Sequence, residues 1–331
     1  MTGRKGRAEH TSACFIEPMM CLAVADLPAG PEWEYELKFD GYRGIGFKTH
    51  GLVHLMSRNG KDFSQRFRTL VRGLQALPDD TAIDGEVVAL DSTGRPSFNI
   101  LQNHAGNDYS LVFYVFDLLM LEGADLKRDR LEVRRDLLRT KLMPNLAEPI
   151  RFSETLRALP AALIGVVREQ GLEGVIAKRL DSSYESGRRS GAWVKMRVNQ
   201  GQELVIGGYV PAAKNFDSIL VGYYEDQKLL YAARVRNGFV PASREALFKR
   251  FPGLEAASCP FQNLPESKKG RWGEGLTAED MGKCRWLQPR LVAAIEFAEW
   301  TPANHLRHSK FIALREDKDA NQVRREVEIE A

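Results

Sequence analysis

Three ionisable residues at alternate positions, Glu36, Lys38 and Asp40, are interleaved with Tyr35, Leu37 and Phe39. Side chains alternate faces along a strand, so a strand here puts the charges on one face and the apolar groups on the other. A lysine on such a face becomes a nucleophile only after losing its proton, which neighbouring cations or desolvation favour. Arg43, beyond a turn at Gly41, or a bound metal could supply the positive field. The same parity recurs in Ile83-Asp84-Gly85-Glu86, where paired carboxylates suit Mg²⁺ or a ribose hydroxyl. It recurs again in Trp193-Val194-Lys195-Met196-Arg197, where two cations suit phosphate oxygens. Glu173 and Lys178 fall on opposite parities. Either Glu173 precedes the strand proper or one of the two points away from the cleft. Taken singly, each pattern also fits an ordinary charged β-face, and Phe116, inside an apolar run, fits a core residue.

The elements that must position these residues read as two domains. Residues 1–30 form an arm ending in Pro28-Ala29-Gly30-Pro31. Strand patterns follow at Glu34 onward, Ile83–Leu90, Leu111–Leu121, Val175–Lys178 and Trp193–Val198. Helical patterns lie between them, at Phe63–Leu74, Leu126–Leu142 and Ser153–Glu169, the last stopped by Gly171. This is an α+β domain over 31–200. Short strand-like runs at Glu203–Val210, Ile219–Glu225, Lys228–Arg236 and Leu291–Trp300, with one helix at Ser243–Phe251, predict a small OB-fold β-barrel over 201–331. Residues 258–284 read as a long loop.

Composition narrows the class. The 331 residues carry 47 basic and 44 acidic side chains, a formal charge of +3. The charge is uneven. Residues 126–141 hold seven Lys/Arg against three acids, and 186–197 hold Arg188, Arg189, Lys195 and Arg197 with no acid. Such stretches suit a phosphate backbone or, equally, a solvated helix face. No apolar run reaches the roughly 18 residues of a membrane span, and no apolar h-region follows the basic start, so no secretory signal is expected. Cys14, Cys21, Cys259 and Cys284 form no C-x-x-C pair, so free thiols in a reducing compartment are expected. His50 with His54 and His305 with His308 read as structural.

In order, these segments resemble the covalent nucleotidyltransferase superfamily of ATP-dependent DNA ligases and mRNA capping enzymes. Lys38-Phe39-Asp40-Gly41-Tyr42-Arg43 looks like the K-x-D-G-x-R nucleophile motif. Ser57-Arg58-Asn59-Gly60, Asp84-Gly85-Glu86, Tyr114-Val115-Phe116-Asp117, Glu173-Gly174-Val175-Ile176-Ala177-Lys178 and Trp193-Val194-Lys195-Met196-Arg197 resemble the motifs that follow it. Arg315-Glu316-Asp317-Lys318 looks like the R-x-D-K element of the C-terminal domain. Phe15-Ile16-Glu17-Pro18-Met19, Ser186-Gly187-Arg188-Arg189-Ser190 and Leu306-Arg307-His308 resemble the bacterial end-joining branch most. One departure is Arg197, which stands where the fifth motif usually has lysine. The short arm is expected to leave no room for a separate DNA-binding domain or for fused polymerase and nuclease modules.

The resemblance implies an ATP-grasp-like adenylation domain followed by an OB-fold, and three chemical steps. Lys38 takes AMP from ATP, the AMP passes to a 5′-phosphate at a nick, and the 3′-hydroxyl displaces it. Lys38, Arg43, Lys178 and Lys195 are implied as catalytic. Glu36, Leu37, Arg43, Arg58, Glu86, Phe116, Lys178, Lys195, Arg197, Arg315, Asp317 and Lys318 are implied as nucleotide-binding, with Phe116 stacking on adenine. Glu173 and Glu86 are implied as holding Mg²⁺ or Mn²⁺. The domains would move about a hinge near 199–202. Nicked duplex DNA is the expected partner, with a Ku-like end-binding protein beside it. A monomer in the bacterial cytoplasm, at the nucleoid and off the membrane, is expected. Competing readings on the same scaffold are an RNA ligase and a capping guanylyltransferase. A non-catalytic DNA-end tether competes from another class.

Overall fold

The computed structural model describes residues 11–103, 110–170, 172–198, 200–267 and 275–326. Its contacts divide the chain into two compact units, within 1–198 and 199–327. The first unit runs β1 (Leu22–Ala23), β2 (Trp33–Lys38), β3 (Tyr42–Thr49), β4 (Leu52–Ser57), α1 (Arg68–Gly73), β5 (Thr81–Leu90), α2 (Phe98–Asn103), β6 (Ser110–Leu121), β7 (Ala124–Asp125), α3 (Leu131–Leu137), β8 (Ile150–Phe152), α4 (Pro160–Glu169), β9 (Gly174–Arg179) and β10 (Trp193–Arg197). One sheet has the order β1-β10-β9-β2; the other has β4-β3-β5-β6-β7, with β8 alongside β6.

The alternation of β2 decides what each face of the smaller sheet does. Tyr35 and Leu37 join Val175, Ala177 and Val194 against Leu163, Ile164 and Val167 of α4. The other face carries the charges. A second core, including Met19, Ile45, Phe47, Phe116, Tyr184 and Trp193, draws on both sheets.

Local physics moved several expected boundaries. The helix expected over Ser153–Glu169 starts only at Pro160. Proline disfavours helical geometry in the residue before it, and Leu159 is extended with φ −66° and ψ 145°. The backbone N–H of Leu156 instead donates to Tyr35 O at 2.7 Å. Its expected stop, Gly171, lies outside the described residues. The helix expected over Leu126–Leu142 is α3 followed by a π-helical turn, Leu138–Leu142. Residues before it turn back, Leu126 N donating to Leu119 O at 3.0 Å. In place of the helix expected from Phe63, Phe63 packs edge-on with both Tyr42 and Phe67, and α1 begins at Arg68. The expected arm is, from residue 11, part of the unit: Ala13, Ile16, Met19, Val24 and Leu27 are buried, and β1 pairs parallel with β10.

The second unit contains β11 (Gly201–Pro211), β12 (Phe216–Glu225), β13 (Lys228–Val235), α5 (Pro241–Phe248), β14 (Glu255–Ala256), α6 (Ala278–Met281), β15 (Arg285–Glu296), β16 (Glu299–Trp300), β17 (Leu306–Arg307) and β18 (Lys310–Leu314). Its main sheet has the order β13-β12-β11-β15-β14, with β18 on β15. A parallel bridge between Asn237 and Lys310 links the end of β13 to β18, which curls the sheet into the OB-type barrel. The core inside it includes Val205, Phe216, Ile219, Tyr231, Val292, Ile295 and Phe311. The expected long loop, 258–284, contains α6, and residues 268–274 of it lie outside the described ones, as does Asn199 of the expected hinge.

Candidate active site

Strand register assembles the charged face. β2 pairs β9 with Lys38 opposite Gly174, Glu36 opposite Ile176 and Glu34 opposite Lys178. β9 pairs β10 with Lys178 opposite Trp193, Ile176 opposite Lys195 and Gly174 opposite Arg197. Opposed residues share a face. Glu36, Lys38, Lys178, Lys195 and Arg197 therefore stand together. Glu173 lies just before β9, which resolves its parity conflict with Lys178. Two glycines allow the close packing. A Cβ on Gly41 would collide with Val87 O, and one on Gly174 with Met196 O.

Glu173 holds the nucleophile candidate. Its Oε1 is ion-paired with Lys38 Nζ and lies 3.4 Å from Arg197 Nε. Its Oε2 is buried and has no hydrogen-bond partner among the described residues. A carboxylate oxygen left in this state suits a hard cation. Among the described residues no group of three His, Cys, Asp or Glu could hold a metal, so phosphate oxygens and water would have to complete the shell. Arg197 thus keeps the charge that the usual lysine would bring and places it on Glu173.

Deeper in the cleft, Lys178 Nζ is 2.5 Å from Glu36 Oε1 and stands over two rings, 4.2 Å from Phe116 and 4.5 Å from Trp193. Burial works to raise the Glu36 carboxyl, but Lys178 and Arg135 hold it below its ordinary 4.5. Burial lifts Glu34 above the same value against the pull of Arg135. Phe116 is only 9% exposed and packs at right angles to Trp193. It is a core aromatic with cations on it as well as a candidate platform.

Arg43 is paired inside the cleft wall. Its Nε and Nη2 grip Asp84 at 2.5 and 2.6 Å, and its guanidinium lies 4.7 Å from the Phe116 ring. Its positive field is committed to Asp84, and Lys38 is matched instead by Glu173. Burial opposes the Arg43 charge and Asp84 outweighs it, lifting the guanidinium well above its ordinary value. Asp84, expected beside Glu86 as a carboxylate for metal or ribose, is fully buried and also accepts from Tyr184 Oη at 2.6 Å. It anchors the cleft wall. Glu86 is half-buried on the same strand. Leu37 turns its side chain to the opposite face, against the α4 core, so it can face a nucleotide only through its peptide groups. Arg58 donates to Met20 Sδ at 2.8 Å.

These motifs are the ones by which the chain matches a known family. The model for the ATP dependent DNA ligase domain matches residues 19–197, and that for the ATP dependent DNA ligase C terminal region matches 212–318. The chain belongs to the ATP-dependent DNA ligases. It is 36% identical over 318 residues to the multifunctional non-homologous end joining protein LigD of Pseudomonas aeruginosa, covering 93% of this chain and 36% of that protein. It is 31% identical to DNA ligase C2 of Mycolicibacterium smegmatis, covering 92% of each. A solved structure of mycobacterial DNA ligase D complexed with ATP and MES aligns with a TM-score of 0.68 at 34% identity, over 94% of this chain and 98% of that one. The chain spans about two fifths of the length of the LigD proteins it matches. No described helix is long and apolar enough to cross a membrane.

The R-x-D-K element of this ligase sits in the second unit. Arg315 and Asp317 form a two-pronged pair, 2.9 Å on each prong, and Lys318 is 3.3 Å from Glu203. Burial works against the Asp317 charge, yet Arg315 and Lys318 hold its carboxyl below the ordinary 3.8. A carboxylate lowered on folding stabilises fully above its unfolded value, and the contribution is lost as pH falls through the lower folded value. Denaturant titrations of the second unit at decreasing pH should show this loss below 3.8, and Asp317→Asn should remove that component.

Sequence reasoning missed three contributors. Tyr184 receives Met19 N at 3.0 Å while it donates to Asp84, tying the start of the chain to the cleft. Arg134 and Arg135, counted within a basic face, are both buried. Their signal was their place in an amphipathic helix, where one stripe must face inward. Of the histidines, His54 stacks on Phe47 at 4.9 Å, and His305 Nε2 is 2.6 Å from Glu266.

Proposed function

We propose that this ligase seals nicks bearing a 5′-phosphate and a 3′-hydroxyl in duplex DNA through a lysyl-AMP intermediate on Lys38. The observation that carries the reading is the single sheet face holding Glu36, Lys38, Lys178, Lys195 and Arg197, with Glu173 against the lysine. In the first step Lys38 Nζ forms a bond to the α-phosphorus of ATP as the bond to pyrophosphate breaks, and the amine gives up its proton. In the second, an oxygen of the 5′-phosphate takes the AMP and frees Lys38. In the third, the 3′-hydroxyl attacks that phosphate and AMP departs. Such transfers depend on positioning and charge neutralisation. Lys178 and Lys195 neutralise the α-phosphate, Glu36 and the Leu37 peptide meet the base edge, and Arg58 and Glu86 meet the ribose. Arg43 orients the wall under Phe116, which takes one side of adenine. Glu173 and Glu86 would hold Mg²⁺ or Mn²⁺, which when bound draws charge from the phosphate oxygens. Arg315, Asp317 and Lys318 are assigned to pyrophosphate on the motif resemblance alone.

The end-joining names of the relatives support a role in bacterial double-strand-break repair. We infer that the ligase works at the nucleoid as a monomer, with a Ku-like protein presenting ends, and that the same nick sealing serves excision repair. A sealing assay on nicked duplexes, with DNA or RNA strands and ATP or GTP, tests the reading. ATP-dependent sealing of the DNA nick is expected, stimulated on broken ends by a Ku-like protein. Sealing of RNA alone, or adduct formation with GTP alone, contradicts it.

A further inference from the structure

Arg135 lies outside every motif yet touches two residues assigned to the nucleotide, Glu36 and Phe116. It projects from α3 and is 5% exposed. Its Nε lies 2.6 Å from Glu34 Oε1 and its Nη1 3.0 Å from Glu36 Oε1. Nη1 also donates to Phe116 O at 2.9 Å, and Nη2 donates to Ser153 O at 2.9 Å and Thr155 Oγ1 at 3.3 Å. The guanidinium stands 4.6 Å from the Phe152 ring. One side chain thus joins the Glu36 carboxylate to the backbone of Phe116 and to the segment that carries Ser153, whose hydroxyl donates to Glu36 Oε2 at 2.6 Å.

Two cations hold the buried Glu36 ionised here, Lys178 and Arg135. In the reaction proposed above, Lys178 moves its charge to the α-phosphate. Arg135 cannot follow, because its other N–H groups are held by the Glu34 carboxylate, by Thr155 and by two backbone carbonyls. It is therefore the cation left to keep Glu36 charged once a nucleotide is in place. An ionised carboxylate only accepts hydrogen bonds, and about four lone-pair positions leave room beyond Ser153 and the cations for another donor. The 6-amino group of adenine is such a donor, whereas a 6-oxo purine presents an acceptor and is repelled. A buried carboxyl without its cation takes up a proton instead and becomes a donor.

We propose that Arg135 is a positioning residue that holds Glu36 as an ionised acceptor and so sets the preference of the adenylation step for ATP over 6-oxopurine nucleotides. The proposal rests on the lysyl-AMP reading above. The test measures adduct formation by the full chain with ATP and with inosine triphosphate, in the wild type, Arg135→Met and Arg135→Lys, across a pH series.

In Arg135→Met, KM for ATP should rise about 10-fold or more, the scale of a lost hydrogen bond to a charged group, with kcat changed far less. The ATP-to-inosine preference should fall by a similar factor and recover as pH rises and Glu36 ionises. Arg135→Lys should restore part of it. A merely structural arginine would lower the yield of active enzyme equally for both nucleotides, so an unchanged preference overturns the proposal. If Arg135→Met does not fold, the preference of Arg135→Lys decides by the same criterion. Wild-type protein that forms no adduct with ATP overturns the underlying reading itself, which separates the two failures.

Discussion

Lys38→Ala should abolish sealing of an ordinary nick, by roughly 10^5-fold, the scale seen when a covalent nucleophile is removed. The same variant should still join a nick whose 5′ end already carries AMP. In that last step the 3′-hydroxyl is the nucleophile and the amine forms no bond. Lys38 ends β2, Glu173 meets it from just before β9, and Arg197 at the end of β10 meets Glu173. Removing the lysine leaves this frame of strands intact, so the variant should keep the wild-type melting temperature. A gel assay with ordinary and pre-adenylated nicks separates the steps. Loss of both activities would mean that Lys38 serves a structural or DNA-binding part rather than the transfer of AMP.

Breaking the ion pair of Arg134 with Asp117 should have the largest effect on stability. Both side chains are fully buried, joined by two bonds of 2.9 and 2.7 Å. Arg134 also donates to Asp129 O at 2.7 Å and Ser182 O at 3.0 Å, tying α3 to the loop beyond β9. Asp117→Ala leaves a buried guanidinium without its counter-charge and should cost the first unit about 3–5 kcal/mol. The double variant Asp117→Leu, Arg134→Met should recover much of that loss, because it removes the stranded charge along with its partner. Urea denaturation followed by tryptophan fluorescence checks both. A double variant no more stable than Asp117→Ala would show that the backbone contacts of Arg134, and not the pair, dominate.

What could be read from the chain follows from the reach of each signal. Period-two alternation fixed the face shared by Glu36 and Lys38 and that shared by Lys195 and Arg197, since parity is local to a strand. It could not say whether Glu173 belonged to the strand, because that depends on where β9 begins. The spacing of motifs gave the cast of residues but not their partners. Arg43 and Asp84 are 41 positions apart and meet only through the pairing of β3 with β5. Arg135 shows the same limit. A count of basic residues places it on a solvated surface, and only the packing of α3 carries it under Glu36. Helix ends were lost for a different reason. Between Ser153 and Leu159 the apolar spacing suits a helix, but Pro160 and the bond from Leu156 to Tyr35 hold the segment extended.

Intact mass of the protein after incubation with ATP and Mg²⁺, for the wild type and Lys38→Ala, tests the central claim most directly. A gain of one adenylate in the wild type is predicted, reversed by added pyrophosphate, mapped to the peptide containing Lys38 and absent from the variant. An adduct of the same mass that persists in Lys38→Ala, or a wild-type protein that gains mass from GTP and none from ATP, would contradict it.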